Sequence, residues 1–197
     1  MTQFRLLRED EAQPARPTAE DLADAAILGA EQGARRLRRR GLLRALAAEA
    51  LEVHPDIIAF VREGSGLVRI TAPEPCFASL SERGRWTALV IAEHPVGVDV
   101  EIYPPEREPP FDLLHPFEQE QILGSSDPER SFLRFWTARE AYLKAEGRGL
   151  DVEPSTVRAG RRGDEVVLVE AGRPLAFASI VEREDAIAAI VELNQGG

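Results

Sequence analysis

A seven-residue segment occurs twice in this chain. Phe77-Ala-Ser-Leu-Ser-Glu-Arg and Phe177-Ala-Ser-Ile-Val-Glu-Arg stand 100 residues apart, with Phe, Ala, Ser, Glu and Arg in matching places. Each copy runs into an apolar stretch, 86–92 or 186–191. Each also follows another apolar stretch, 67–70 or 167–170, with a long helical pattern earlier still. Matched order of elements at a fixed offset is the mark of a duplicated unit. The prediction is an α+β fold of two similar halves, 1–95 and 96–197, related by a pseudo-twofold axis. Any site is expected at their junction, where ligand pockets tend to form.

The local patterns fill in that plan. Residues 4–7 read as a first strand, followed by a linker through Pro14 and Pro17. Thr18 can cap a helix whose first turn holds Glu20 and Asp21. From 35 to 51 the spacing of Leu37, Leu42, Leu43, Leu46 and Leu51 predicts a helix with a buried stripe, ended by Pro55. Short strands are expected at 57–62, 67–71 and 77–80, parted by Gly64, Gly66, Pro73 and Pro75. Fuller apolar strands follow at 86–92 and 96–102. Helices are expected at 111–123 and 129–146, and strands at 165–170, 174–181 and 186–193.

Composition limits the function classes. The 197 residues carry 34 Asp and Glu against 24 Lys and Arg, a net charge of −10. That argues against general affinity for nucleic acid or an anionic membrane. The dense basic patch is Arg35, Arg36, Arg38, Arg39, Arg40 and Arg44, either a solvated helix face or a site for phosphates or an acidic partner. Cys76 is alone, so no internal disulfide forms, and three scattered histidines do not space a zinc site. The first residues lack an apolar leader, and no run approaches the ~18 apolar residues of a membrane helix. A reduced, soluble, cytoplasmic protein is expected.

Two stretches carry chemistry. In Gly97-Val98-Asp99-Val100-Glu101 a strand would project Asp99 and Glu101 to one face. Adjacent carboxylates repel unless they sit on an exposed edge or share a cation. With oxygen donors and no thiols that cation is Mg²⁺ or Mn²⁺. In WTAREAYLKAEGRGL, Trp136, Glu140 and Lys144 recur at intervals of four along one helix face, and Gly147 and Gly149 form a stop. Taken alone, Glu140 and Lys144 are equally an ordinary helical ion pair worth about 0.2–0.5 kcal/mol.

Together, the GVDVE strand, the aromatic helix with EAYLKAEGRGL about 40 residues later, the arginine-rich helix before them and the two-halved chain resemble the 4'-phosphopantetheinyl transferases. The closer similarity is to their monomeric, pseudo-dimeric kind. The resemblance implies a Mg²⁺-dependent enzyme (Mn²⁺ being possible). It would move the phosphopantetheine arm of coenzyme A to a serine of an apo acyl or peptidyl carrier protein and release 3',5'-ADP. By position, Asp99, Glu101 and Glu140 match the metal carboxylates, and Glu140 also matches the proposed base. Lys144 matches the lysine that meets the transferring phosphate. Arg35, Ser81, Arg83 and Arg139 fall on the coenzyme A side, Arg139 replacing a lysine. The N-terminal half then supplies the basic helix and the coenzyme A side, and the C-terminal half the carboxylates and the catalytic helix. The carrier is expected to meet Arg134, Arg139, Arg148 and the exposed arginines of the basic run.

Two departures from the family pattern stand out. Glu82 occupies the place of a histidine that touches the 3'-phosphate of coenzyme A, and Gly64-Ser65-Gly66 lacks the usual lysine. They leave room for a non-catalytic binding relative, or for a transferase that prefers another donor such as dephospho-coenzyme A.

Overall fold

The computed structural model describes residues 2–62, 67–106, 110–111, 114–148, 156–163, 165–170 and 173–193. Among these residues ten strands form two five-stranded antiparallel sheets. The first contains β1 (Gln3–Arg8), β2 (Ala59–Arg62), β3 (Val68–Ala72), β4 (Cys76–Arg83) and β5 (Trp86–Ala92). The second contains β6 (Val96–Ile102), β7 (Arg158–Arg162), β8 (Glu165–Glu170), β9 (Arg173–Arg183) and β10 (Ala186–Glu192). Their orders are β1-β5-β4-β3-β2 and β6-β10-β9-β8-β7. Adding five to each label turns the first order into the second, so the duplicated segment marks two halves of one topology.

The correspondence reaches single residues. Arg83 pairs with Trp86 across the β4–β5 hairpin, and Arg183 pairs with Ala186 across the β9–β10 hairpin. Both turns use a left-handed residue at the same place, Gly84 at φ 53° and Glu184 at φ 52°. The turns also meet. Trp86 Nε1 donates to Asp185 Oδ1 at 2.8 Å, and Arg85 reaches the same oxygen at 3.0 Å.

Helices α1 (Ala19–Ala26) and α2 (Ala30–Ala50) lie between β1 and β2. Helices α3 (Pro116–Leu123) and α4 (Pro128–Ala145) take the same place in the second half. Thr18 caps α1 in a capping box with Asp21. Alternation along the strands sorts the apolar residues into three cores. Leu89 and Ile91 face α2, Ile187 and Ala189 face α4, and Ala88, Val90, Val98, Val100 and Ala188 fill a core shared by both sheets. The shared core makes each sheet a wall of the other's interior.

Several boundaries differ from expectation. The helix expected over 111–123 begins at Pro116, where His115 caps it and Glu118 closes the capping box. Residues 55–57 form a 3-10 turn, and the strand expected from 57 starts at Ala59. β4 continues three residues past Leu80, and β7 is a strand the apolar pattern does not announce. Gly64, Ser65, Gly66 and Gly149 lie outside the described residues.

Candidate active site

Gly97 decides how closely α4 can lie on β6. A Cβ there would stand 1.9 Å from the Ala141 carbonyl oxygen and 2.6 Å from the Ala145 nitrogen, distances no side chain tolerates. With hydrogen in that place the helix backbone rests on the strand, and Glu140 and Lys144 come over the next outward-facing residue, Asp99. The helix then stops sharply. Gly147 at φ 68° lets its own N–H reach Lys144 O and the N–H of Arg148 reach Leu143 O, a Schellman motif.

Lys144 Nζ lies 2.6 Å from Asp99 Oδ1 and also donates to Ser81 Oγ and Val98 O, each at 3.1 Å. Ser81 Oγ donates to the same Asp99 oxygen at 2.8 Å. Arg83 Nε stands 2.9 Å from Glu101 Oε2. These contacts follow from the pleat of β4: Ser79, Ser81 and Arg83 turn toward β6, meeting the Val98 N–H, Asp99 and Glu101 in order. Burial and the negative charge of Asp99 push the Glu101 carboxyl up to about 7, against the pull of Arg83 and Lys144. Glu140 is raised for the same two reasons, opposed by Lys144 and Arg139. Asp99, Glu101 and Glu140 therefore share one electrostatic neighbourhood.

The intervening residues of β4 point the other way. Ala78 and Leu80 pack on α2, and Glu82 enters the arginine run. Arg38 Nη1 is 2.8 Å from Glu82, Arg35 Nε 3.4 Å and Arg39 Nε 3.8 Å. A cavity of about 620 Å³ runs from Lys144 past Arg35, Arg36 and Arg39 to an apolar wall that includes Leu28, Phe60 and Val68. Basic on one side and apolar on the other, it suits a long anionic ligand with an organic body.

Residues 95–191 match the model of the 4'-phosphopantetheinyl transferase superfamily, a segment that holds the GVDVE strand and all of α4. A 4'-phosphopantetheinyl transferase of Bacillus subtilis is 24% identical over 132 residues, 66% of this chain and 59% of the relative. A phosphopantetheinyl transferase of Thraustochytrium sp. is 34% identical over 137 residues, 59% of this chain and 47% of the relative. The chain is similar to the 4'-phosphopantetheinyl transferases. It spans between 47% and 59% of the length of these curated relatives.

Beside the pattern of the 4'-phosphopantetheinyl transferases, the expected residues divide into three groups. Asp99, Glu101, Glu140, Lys144, Ser81 and Arg83 come together where β4, β6 and α4 meet. Arg35 stands apart from them, its side chain 62% exposed on the rim of the cavity. Arg139, expected on coenzyme A, is instead wholly buried. Its guanidinium pairs with Glu118 of α3 and donates to Val157 O at 2.8 Å. One step along a helix turns a side chain by about 100°, so Arg139 points into the core when Glu140 points at Asp99. Of the other residues expected to meet a carrier, Arg134 and Arg148 are more open than Arg139, and each is paired, with Glu182 and Glu170.

Arg38 and Arg39 escaped the sequence reading as individuals, because six arginines in one run look alike. The period of two in Ser81-Glu82-Arg83 is the signal that would have found their partner.

Among the described residues no His, Cys, Asp and Glu side chains form a group of three spaced to hold a metal ion. Lys144 takes Asp99, and Arg83 takes Glu101. Asp99, Glu101 and Glu140 nevertheless offer the carboxylate oxygens that a hard divalent ion takes, and burial with the charge of Asp99 raises two of them, Glu101 and Glu140. No helix among the described residues is long and apolar enough to cross a membrane.

Proposed function

We propose that this chain transfers the 4'-phosphopantetheine arm of coenzyme A to a serine of an apo acyl or peptidyl carrier protein. The observation that carries this reading is the close approach of α4 to β6 over Gly97, which aligns Glu140 and Lys144 with Asp99 beside a cavity lined with arginines.

In this reaction the serine oxygen bonds to the β-phosphorus of coenzyme A. The bond from that phosphorus to the bridging oxygen breaks, and 3',5'-ADP leaves with the electron pair. Glu140 takes the serine proton, a role worth ~10²–10⁴ in rate. Its partly buried carboxyl, raised above the ordinary range, suits a base that must hold a proton briefly. Lys144 moves between Asp99 and the phosphate under attack, and Ser81 keeps Asp99 oriented meanwhile. Asp99, Glu101 and Glu140 are the residues that would hold Mg²⁺ or Mn²⁺. When bound, the ion supplies charge neutralisation to the diphosphate and the leaving group. Arg35 and Arg83 border the donor, and Arg139 acts from beneath by fixing α4.

The chain acts as a monomer in this reading, because its two halves already enclose the shared core. A reduced, cytoplasmic setting suits its single buried cysteine. The test is incubation of an apo carrier protein with coenzyme A and Mg²⁺, followed by intact mass. The reading predicts the gain of one phosphopantetheine group per carrier. No gain across several acyl and peptidyl carriers would contradict it, and would favour a relative that binds without catalysis.

A further inference from the structure

Two cavities share Arg35, which lies beside Glu82. Arg35 and Arg39 line the larger one, and Arg35, Arg38 and Glu82 itself line a second of about 240 Å³. The Glu82 carboxylate is fixed by the pleat of β4, its side chain only 14% exposed, with guanidiniums of Arg35, Arg38 and Arg39 at 3.4, 2.8 and 3.8 Å. Three guanidiniums from one helix converging on one carboxylate make an oxyanion site that the protein fills from within. A phosphate arriving there would have to share those forks with a fixed charge of its own sign, and forked, charge-assisted hydrogen bonds are the ones that make phosphate recognition strong.

The neighbouring cations offer no substitute. Arg36 is held by Asp24 at 3.2 Å, and Arg40 by Asp21 and Asp24, each at 3.0 Å. Lys144, which also lines the large cavity, is held by Asp99 at 2.6 Å.

Resting on the coenzyme A reading above, we propose that Glu82 is a specificity-determining residue. By occupying the Arg35–Arg38–Arg39 cluster it removes the advantage of a phosphate on the ribose of the donor. Coenzyme A and its 3'-dephospho analogue then bind alike, with recognition resting on the diphosphate and the pantetheine arm.

Calorimetric titration of the whole chain with each compound, in the presence of Mg²⁺, tests this. The wild type is expected to bind the two within about threefold of each other, a difference well under 1.4 kcal/mol. Glu82→Gln frees the guanidiniums, and the ratio should shift by about tenfold or more toward coenzyme A as charge-assisted hydrogen bonds are regained. Glu82→Ala, which opens the same cluster without an amide in it, should show the same shift. A wild type that already favours coenzyme A by about tenfold, or a ratio unmoved in both variants, would overturn the assignment to Glu82 and leave the coenzyme A reading standing. Absence of binding by either compound to the wild type would remove the coenzyme A reading, and this inference with it.

Discussion

Asp21 closes the capping box of α1 and takes two arginines of α2 at once. Its carboxylate accepts from the Thr18 N–H at 2.9 Å, from Arg44 at 2.6 Å and from Arg40 at 3.0 Å, while only 1% of the residue is exposed. Burial alone would raise its pKa, but the hydrogen bonds from Thr18 and Arg44 more than reverse this, and the carboxyl sits below its ordinary 3.8. A depressed carboxylate contributes stability that is present above the unfolded value and lost as the pH falls through the folded one. Asp21→Asn leaves Arg44 buried without its counter-charge, which should cost about 3–5 kcal/mol in urea unfolding near neutrality. That gap should close as the pH is taken well below 3.8. A gap that persists undiminished in acid would show that packing, not charge, is what Asp21 supplies. Legibility at this scale was uneven. Thr18, Glu20 and Asp21 announce a helix start by type and spacing, but nothing in the sequence joins Asp21 to Arg44, or Arg139 to a glutamate 21 residues earlier. Those pairs depend on which way neighbouring helices roll.

α4 and β6 form the element pair on which the site depends, and both were readable. The strand at 96–102 is apolar at alternate positions and bounded by turn residues, and it appears with the expected ends. α4 differs from expectation by a single residue at either end. Their contact was not readable, because in the sequence Gly97 is a glycine like any other until Ala141 and Ala145 stand against it. Gly97→Ala should therefore push α4 off β6, with a destabilisation of about 3 kcal/mol, the upper end for overpacking. Any folded fraction should lose catalysis through misplacement of Glu140 and Lys144. Thermal unfolding with an activity assay checks this, and an unchanged midpoint would mean that the helix does not rest on the strand. The sequence pattern ends β4 at Leu80 because Ser81-Glu82-Arg83 resembles a loop. Its polar side chains find partners on opposite faces, in Asp99, the arginines of α2 and Glu101. β7, with the sequence RAGRR, is held to β8 by backbone pairing and has too little apolar side chain to register.

The whole molecule repeats one half and then specialises each copy. The offset of 100 residues survives in strand order, hairpin register and even the left-handed turn residue, so the architecture was visible in a seven-residue match. The proposed function is asymmetric. The helices of the first half contribute an arginine-lined wall, those of the second Glu140 and Lys144, and the acids on β6 lie between, in a chain of net charge −10. That division explains why the basic run and the carboxylates, weak signals apart, become specific together. The central claim is that Asp99, Glu101 and Glu140 act on one diphosphate. Intact-mass measurement of apo-carrier loading, at fixed coenzyme A and Mg²⁺, by the wild type and by Asp99→Asn, Glu101→Gln and Glu140→Gln, tests it most directly. The account predicts loading by the wild type and a fall of about 10²-fold or more in each folded variant; undiminished loading by Glu140→Gln would contradict it.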